Sequence, residues 1–160
     1  MSKLVEICFL DLDENKEYIK LIEQVITTCF KEEKIEKLNF YLSVTLTTPD
    51  EIHKLNKKYR NVDKETDVLS FPMFEKEELK QIIENQIKNP IPEVLGDIVI
   101  SMEKVKGQAE EYGHSLQREL SYMLVHGFYH IMGYDHIEEE DKLKMRPKEE
   151  KILTKLKQTR

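Results

Sequence analysis

The chain has 160 residues and a net charge of −6, a length that suits one domain built on one sizeable core. Hydrophobic residues make up 39% and charged residues 35%, the balance of an ordinary soluble protein, and no apolar run approaches the roughly 18 residues of a membrane span. The negative total argues weakly against a nucleic-acid partner, although local charge governs recognition more than the sum does.

The N-terminus, "MSKLVEICFLDLDEN", has a short apolar stretch interrupted by Glu6 and followed by Asp11 and Asp13. It predicts a strand and not a signal peptide. Cys8 and Cys29 form no C-x-x-C pair. Their apolar surroundings predict buried, reduced thiols and a cytoplasmic address. Asn15 to Phe30 places Ile19, Ile22, Val25, Ile26, Cys29 and Phe30 at the three-and-four spacing of an amphipathic helix. "FYLSVTLT" alternates Phe40, Leu42, Val44 and Leu46 with polar and aromatic partners, a half-buried strand. "TPDE" then offers Thr48 as N-cap, Pro49 at the first helical position and Glu51 to close a capping box. The helix it starts is expected to reach about Tyr59.

Thr66 to Pro72 reads as a short strand stopped by proline, and Glu75 to Pro92 as an exposed excursion with one helical turn around Ile82 to Ile87. Gly96 to Ser101 is a fourth strand whose apolar centre predicts burial on both faces. Ser101 is placed to cap a helix that ends at Gly113. Ser115 is placed to cap the next, with its stripe at Leu116, Leu120, Met123, Leu124, Phe128 and Ile131. A last helix is expected over roughly Glu139 to Leu156. This order predicts a single α+β domain over residues 1–160, a small mixed sheet covered by helices.

Two segments are locally basic. Lys54, Lys57, Lys58, Arg60 and Lys64 stand against Asp63, a local +4, and eight cations from Lys142 to Arg160 stand against Glu149 and Glu150, a local +6. On charge alone both read as solvated helix faces.

"HGFYHIMGYDH" carries the chemistry. His126 and His130 lie four apart, about 40° apart around a helix axis and one turn along it, so one ion can bridge them. Gly133 is placed to end the helix in a left-handed conformation and to turn His136 back over the same ion. Three imidazoles with a fourth position open form the arrangement of a catalytic zinc site, one ion per chain. His126 and His130 alone would also suit a solvated face; His136 and the intervening glycine favour the metal. His53 and His114 read as surface or capping residues.

With "NKKYRNVDKETDVLSFP" (Asn56 to Pro72) and "LGDIVIS" (Leu95 to Ser101) upstream, this motif resembles the H-G-x-x-H-x-x-G-Y-D-H signature of the YbeY family. These are bacterial metal-dependent endoribonucleases, also called ribosomal RNA maturation factors. The resemblance covers about Phe40 to Leu153. It implies an α+β fold and zinc held by His126, His130 and His136. It also implies single-strand-specific processing of the 3′ end of small-subunit ribosomal RNA, in ribosome maturation and quality control. The partners implied are ribosomal RNA and small-subunit components, with no DNA and no membrane. Arg60, of the family's Y-R pair, is implied to matter for activity. Tyr129 and Ile131 stand where the family commonly has leucine, which is expected to alter packing and not ligation. Pro147 falls inside the last helix and is expected to kink or restart it.

Zinc proteases carry a glutamate directly after the first histidine, as the base for the attacking water. Here that position is Gly127. Peptide cleavage needs a proton delivered to a poor amine leaving group, so this loss hurts a protease most. Phosphodiester cleavage depends more on neutralising phosphoryl charge, which a metal and the planar fork of Arg60 can share. Asp135 reads equally as an orienting residue for a ligand or as a loop stabiliser. Thr66 and Asp67 read as supports for the strand facing the cleft, and Asp97 as a turn aspartate. Three readings stand: a zinc endoribonuclease, a non-catalytic ribosome-assembly factor with a structural metal, and a zinc peptidase with a displaced base.

Overall fold

The computed structural model describes residues 4–134 and 139–157. The elements run β1 (Val5–Phe9), α1 (Lys16–Glu32), β2 (Phe40–Thr47), α2 (Pro49–Arg60), β3 (Val68–Pro72), α3 (Lys76–Glu84), β4 (Glu93–Ser101), α4 (Met102–Tyr112), α5 (Leu116–Ile131) and α6 (Glu139–Lys155). Several starts follow from local chemistry. Asn15 Oδ1 accepts from the backbone N–H groups of Glu17 and Tyr18, Thr48 Oγ1 from that of Glu51, and Ser115 Oγ from that of Arg118, satisfying donors that a helix leaves open at its N-terminus.

The sheet has four strands in the order β1-β2-β4-β3. β1, β2 and β4 are parallel neighbours, and β3 pairs antiparallel with β4, so Leu69 lies opposite Val99 and Ser70 opposite Ile98. The sheet is mixed and helix-covered, an α+β arrangement as the element order predicts.

Alternation along the strands divides the core between two faces. Leu42, Val44, Leu46, Ile98 and Ile100 join the main core with α1 and α5, including Phe30, Leu124 and Phe128. Leu69 and Val99 point to the other face, where Ile52 buries against them with Leu55 and Phe71 alongside. Edge strand β3 is thus sandwiched between α5 on one face and α2 on the other. That placement makes the site.

Four local expectations differ. The excursion after β3 holds a helix of 9 residues, Lys76–Glu84, whose Leu79 is buried. Its charged neighbours hid an apolar stripe of Leu79, Ile82 and Ile83 that packs on the core. Ser101 gives α4 no side-chain cap; its N–H instead donates to the Asp67 carbonyl at 2.9 Å. Asp97 is a strand residue of β4, between Ser43 and Phe71, and not a turn aspartate. Cys29 is buried, and that burial pushes its thiol pKa up. Cys8 is exposed, because period-two alternation puts it on the outward side of β1 with Glu6.

α6 is one helix across Pro147. Among the described residues, no helix is long and apolar enough to cross a membrane.

Candidate active site

A cavity of about 400 Å³ lies over edge strand β3. Its walls are Arg60 from the end of α2, the run from Asp67 to Ser70 with Pro72, and His126 and His130 from α5. Residues more than sixty positions apart thus meet because α2 and α5 flank the same strand. A second concavity of about 890 Å³, lined by Pro72 to Lys76, Glu78 and Gly133, adjoins it at Pro72.

α5 is buried almost all round, and its main partly exposed stripe is Tyr122, His126 and His130. The two imidazole centroids are 4.7 Å apart with ring planes at 69°, and the Tyr122 ring lies 5.8 Å from that of His126. The helix ends as the sequence predicts. Gly133 adopts φ +103°, its N–H donates to the His130 carbonyl at 3.0 Å, and the Tyr134 N–H donates to the Tyr129 carbonyl at 3.1 Å. This double bond pattern is a Schellman stop, which needs positive φ at the glycine.

His136 and Asp135 lie outside the described residues. Among the described residues, no group of three or more His, Cys, Asp or Glu side chains is placed to share an ion. The donor chemistry of His126 and His130 fits a borderline-soft divalent ion such as zinc, and the cavity they wall has ample room for an ion and its waters.

Gly127 faces the sheet, between Ile98 and the cavity-wall residue Ser70. A Cβ there would lie 3.1 Å from Ile98 Cδ1 and 3.2 Å from Ser70 Oγ. α5 approaches β3 and β4 so closely that even a Cβ at this position would press on the Ile98 and Ser70 side chains. Glycine suits this close approach of helix and sheet.

Arg60 is exposed at the cavity mouth, and its Nη1 donates to Asn56 Oδ1 at 3.2 Å. Asn56 is 2% exposed and is itself anchored, its Nδ2 donating to the Lys64 carbonyl at 3.0 Å. Asn61, at φ +58°, ends α2 directly after Arg60. The carboxylates that could have tied Arg60 down are engaged elsewhere. Asp63 pairs with His53 at 2.6 Å, and that hydrogen bond holds its carboxyl below the usual carboxylate range. Asp67 Oδ1 accepts from Val68 N–H and Thr66 Oγ1, and its Oδ2 accepts from Gln108 Nε2. Thr66 and Asp67 therefore support β3. His53 is a surface partner of Asp63, and His114 lies partly buried after Gly113.

Two residues near the site carried no assigned role in the sequence. Asn56 had a usable signal, an amide one helical turn before Arg60. Glu149 had none: it sits in the charged run "KEEK" and reaches His126 Nδ1 at 3.3 Å across 23 residues. Tyr129, one of the two departures at leucine positions, is fully buried, and its hydroxyl donates to Glu33 Oε2 at 3.0 Å. Lys148 also reaches Glu33, at 3.3 Å, so α1, α5 and α6 meet at one carboxylate. Burial against that carboxylate pushes the Tyr129 hydroxyl pKa far up.

Comparison with known proteins places the chain in a family. Residues 9–157 match the family described as Endoribonuclease YbeY, a span wider than the motifs alone cover. A protein named Endoribonuclease YbeY from Clostridium botulinum (strain Eklund 17B / Type B) is 42% identical over 153 residues, covering 91% of this chain and 92% of that protein. One of the same name from Caldicellulosiruptor bescii is 47% identical over 152 residues, covering 94% and 93%. The solution structure of TM1509 from Thermotoga maritima superimposes with a TM-score of 0.60 at 27% identity, over 96% of this chain and 91% of that one. The chain belongs to the YbeY family.

Proposed function

We propose that this protein is a cytoplasmic, zinc-dependent endoribonuclease, specific for single strands. Its substrate is the 3′ end of small-subunit ribosomal RNA, and it acts in ribosome maturation and quality control beside small-subunit components. The observation that carries the reading is the cavity over β3, where Arg60 and two histidines converge in a member of a family named for endoribonuclease activity. His126, His130 and His136 would hold one zinc ion per chain; when bound, it would lower the pKa of a water and neutralise phosphoryl charge.

The chain's own groups divide the remaining work. Arg60 presents a planar fork to phosphate, with Nη1 steadied by Asn56 Oδ1. Its charge is worth most where negative charge develops in the transition state. Lys57 and Lys58, on the same exposed end of α2, add attraction for the RNA backbone without base specificity. Asp67, with both oxygens accepting hydrogen bonds, shapes the wall. With Gly127 where zinc proteases carry their glutamate, charge neutralisation and positioning favour a phosphodiester.

The experiment is incubation of zinc-loaded protein with single-stranded and structured RNA, beside an identical His126→Ala preparation. Cleavage of the single-stranded RNA by the wild type alone is expected. A wild type that binds RNA without cutting it would leave the assembly-factor reading in its place.

A further inference from the structure

α6 turns one carboxylate inward. Glu149 is 6% exposed, on the buried side of the helix with Met145, Ile152 and Leu153. Burying a carboxylate is unfavourable unless a partner compensates it. Its Oε2 lies 3.3 Å from His126 Nδ1, and both side chains are largely enclosed, at 17% exposure for the histidine and 9% for the glutamate. His126 lines the cavity and Glu149 does not. The carboxylate thus meets the imidazole at Nδ1 from outside the cavity lining.

An imidazole has two nitrogens, and the hydrogen bond made by one decides what the other can do. With Nδ1–H donated to Glu149, Nε2 is left as a lone-pair donor facing the cavity. The carboxylate also fixes the ring plane. Helix α6 is itself fastened from its flank, since Lys148 reaches Glu33 and Lys151 reaches Glu32 at 2.6 Å on α1.

We propose that Glu149 is a positioning residue for the metal site: it accepts the His126 Nδ1 hydrogen bond and fixes the tautomer that presents Nε2 to zinc. This rests on the reading of His126 as a zinc ligand. The test measures zinc affinity by competition with a chromophoric chelator. The proteins are wild type, Glu149→Gln, Glu149→Ala, His126→Ala, and His126→Ala combined with Glu149→Gln. Removal of such an outer partner is expected to weaken affinity roughly 10- to 100-fold, with Glu149→Gln at the lower end because it keeps volume and an acceptor. On the His126→Ala background, Glu149→Gln should change zinc affinity no further, an outcome that a merely structural carboxylate would not produce. Should Glu149→Ala fail to fold, the Glu149→Gln pair of measurements decides alone. Wild-type affinity in Glu149→Gln and Glu149→Ala, or a Glu149 effect that persists without His126, overturns the proposal while leaving His126 as ligand. Unchanged affinity in His126→Ala overturns the ligand reading and this proposal with it.

Discussion

The basic segments 54–64, at the end of α2, and 142–160, along α6, carry a local +4 and +6 in sequence, yet their lysines meet different surroundings. On α6, Lys148 pairs with Glu33, and Lys151 and Lys155 pair with Glu32. On α2, Lys54 pairs with Glu51 at 3.2 Å, while among the described residues Lys57 and Lys58 make no ion pair. The segment with the larger formal charge thus spends three of its cations fastening one helix to another. The segment with the smaller charge keeps Lys57, Lys58 and Arg60 exposed, and Arg60 lines the cavity. Charge counted along a chain cannot separate these cases, because the neutralising residues, Glu32 and Glu33, lie more than a hundred positions away.

The largest expected effect falls on α2. Arg60→Lys keeps the charge and loses the two-pronged geometry. Its cleavage rate should fall on the order of a hundredfold, or about 2.7 kcal/mol, with little change in RNA affinity, as for an interaction made mainly in the transition state. Lys151→Ala on α6 should leave the rate intact. A lower melting temperature with an intact rate per folded Arg60→Lys molecule would assign Arg60 to the fold instead.

Salt dependence is the next test of the contrast. Displaced counterions supply much of the affinity for RNA. Replacing Lys57 and Lys58 together by alanine should flatten the slope of log affinity against log salt by roughly 0.7 for each cation removed. The same exchange at Lys151 and Lys155 should leave the slope unchanged. Equal flattening by both pairs would mean that RNA reaches α6 as well.

The smallest effect is on stability. Hydrogen bonds from Lys151, then Lys155, hold the Glu32 carboxyl at about 2, below its ordinary 4.5. A carboxyl whose pKa is depressed by folding contributes stability that is present above about pH 4.5 and lost as pH falls toward about 2. The lysines are half or more exposed, at 62% and 50%, so solvent screens the pairs and each lysine-to-alanine change should cost little stability. Urea midpoints across that acid range should fall more for the wild type than for Lys151→Ala combined with Lys155→Ala. Parallel curves would dissolve the fastening role of α6.

Local patterning carried much of the fold into view. The alternation of Phe40 to Thr47 and the cap at Thr48 are contained in a few adjacent residues, and the structure reproduces both. The Gly133 stop was equally legible, since positive φ is a property of one residue. α3 was missed because Glu77, Glu78 and Lys80 dilute an apolar stripe that only the core reveals. Distant contacts left no trace either. Glu149 looks like any exposed charge until α6 folds onto α5, and the crowding at Gly127 depends on Ile98 and Ser70 from two other strands. The same holds for Asp97 and Ser101, whose side chains read as turn and cap residues until the sheet is assembled.

The central claim is that Arg60 and the α5 histidines act on one phosphodiester in one cavity. Single-turnover cleavage of a defined single-stranded RNA by wild type, Arg60→Ala, His130→Ala and the double variant measures this directly. Groups that act as a unit lose activity non-additively. The double variant should therefore be little slower than His130→Ala, with RNA still bound by all four proteins. Losses that multiply in the double variant would contradict the account and place Arg60 and His130 in separate tasks.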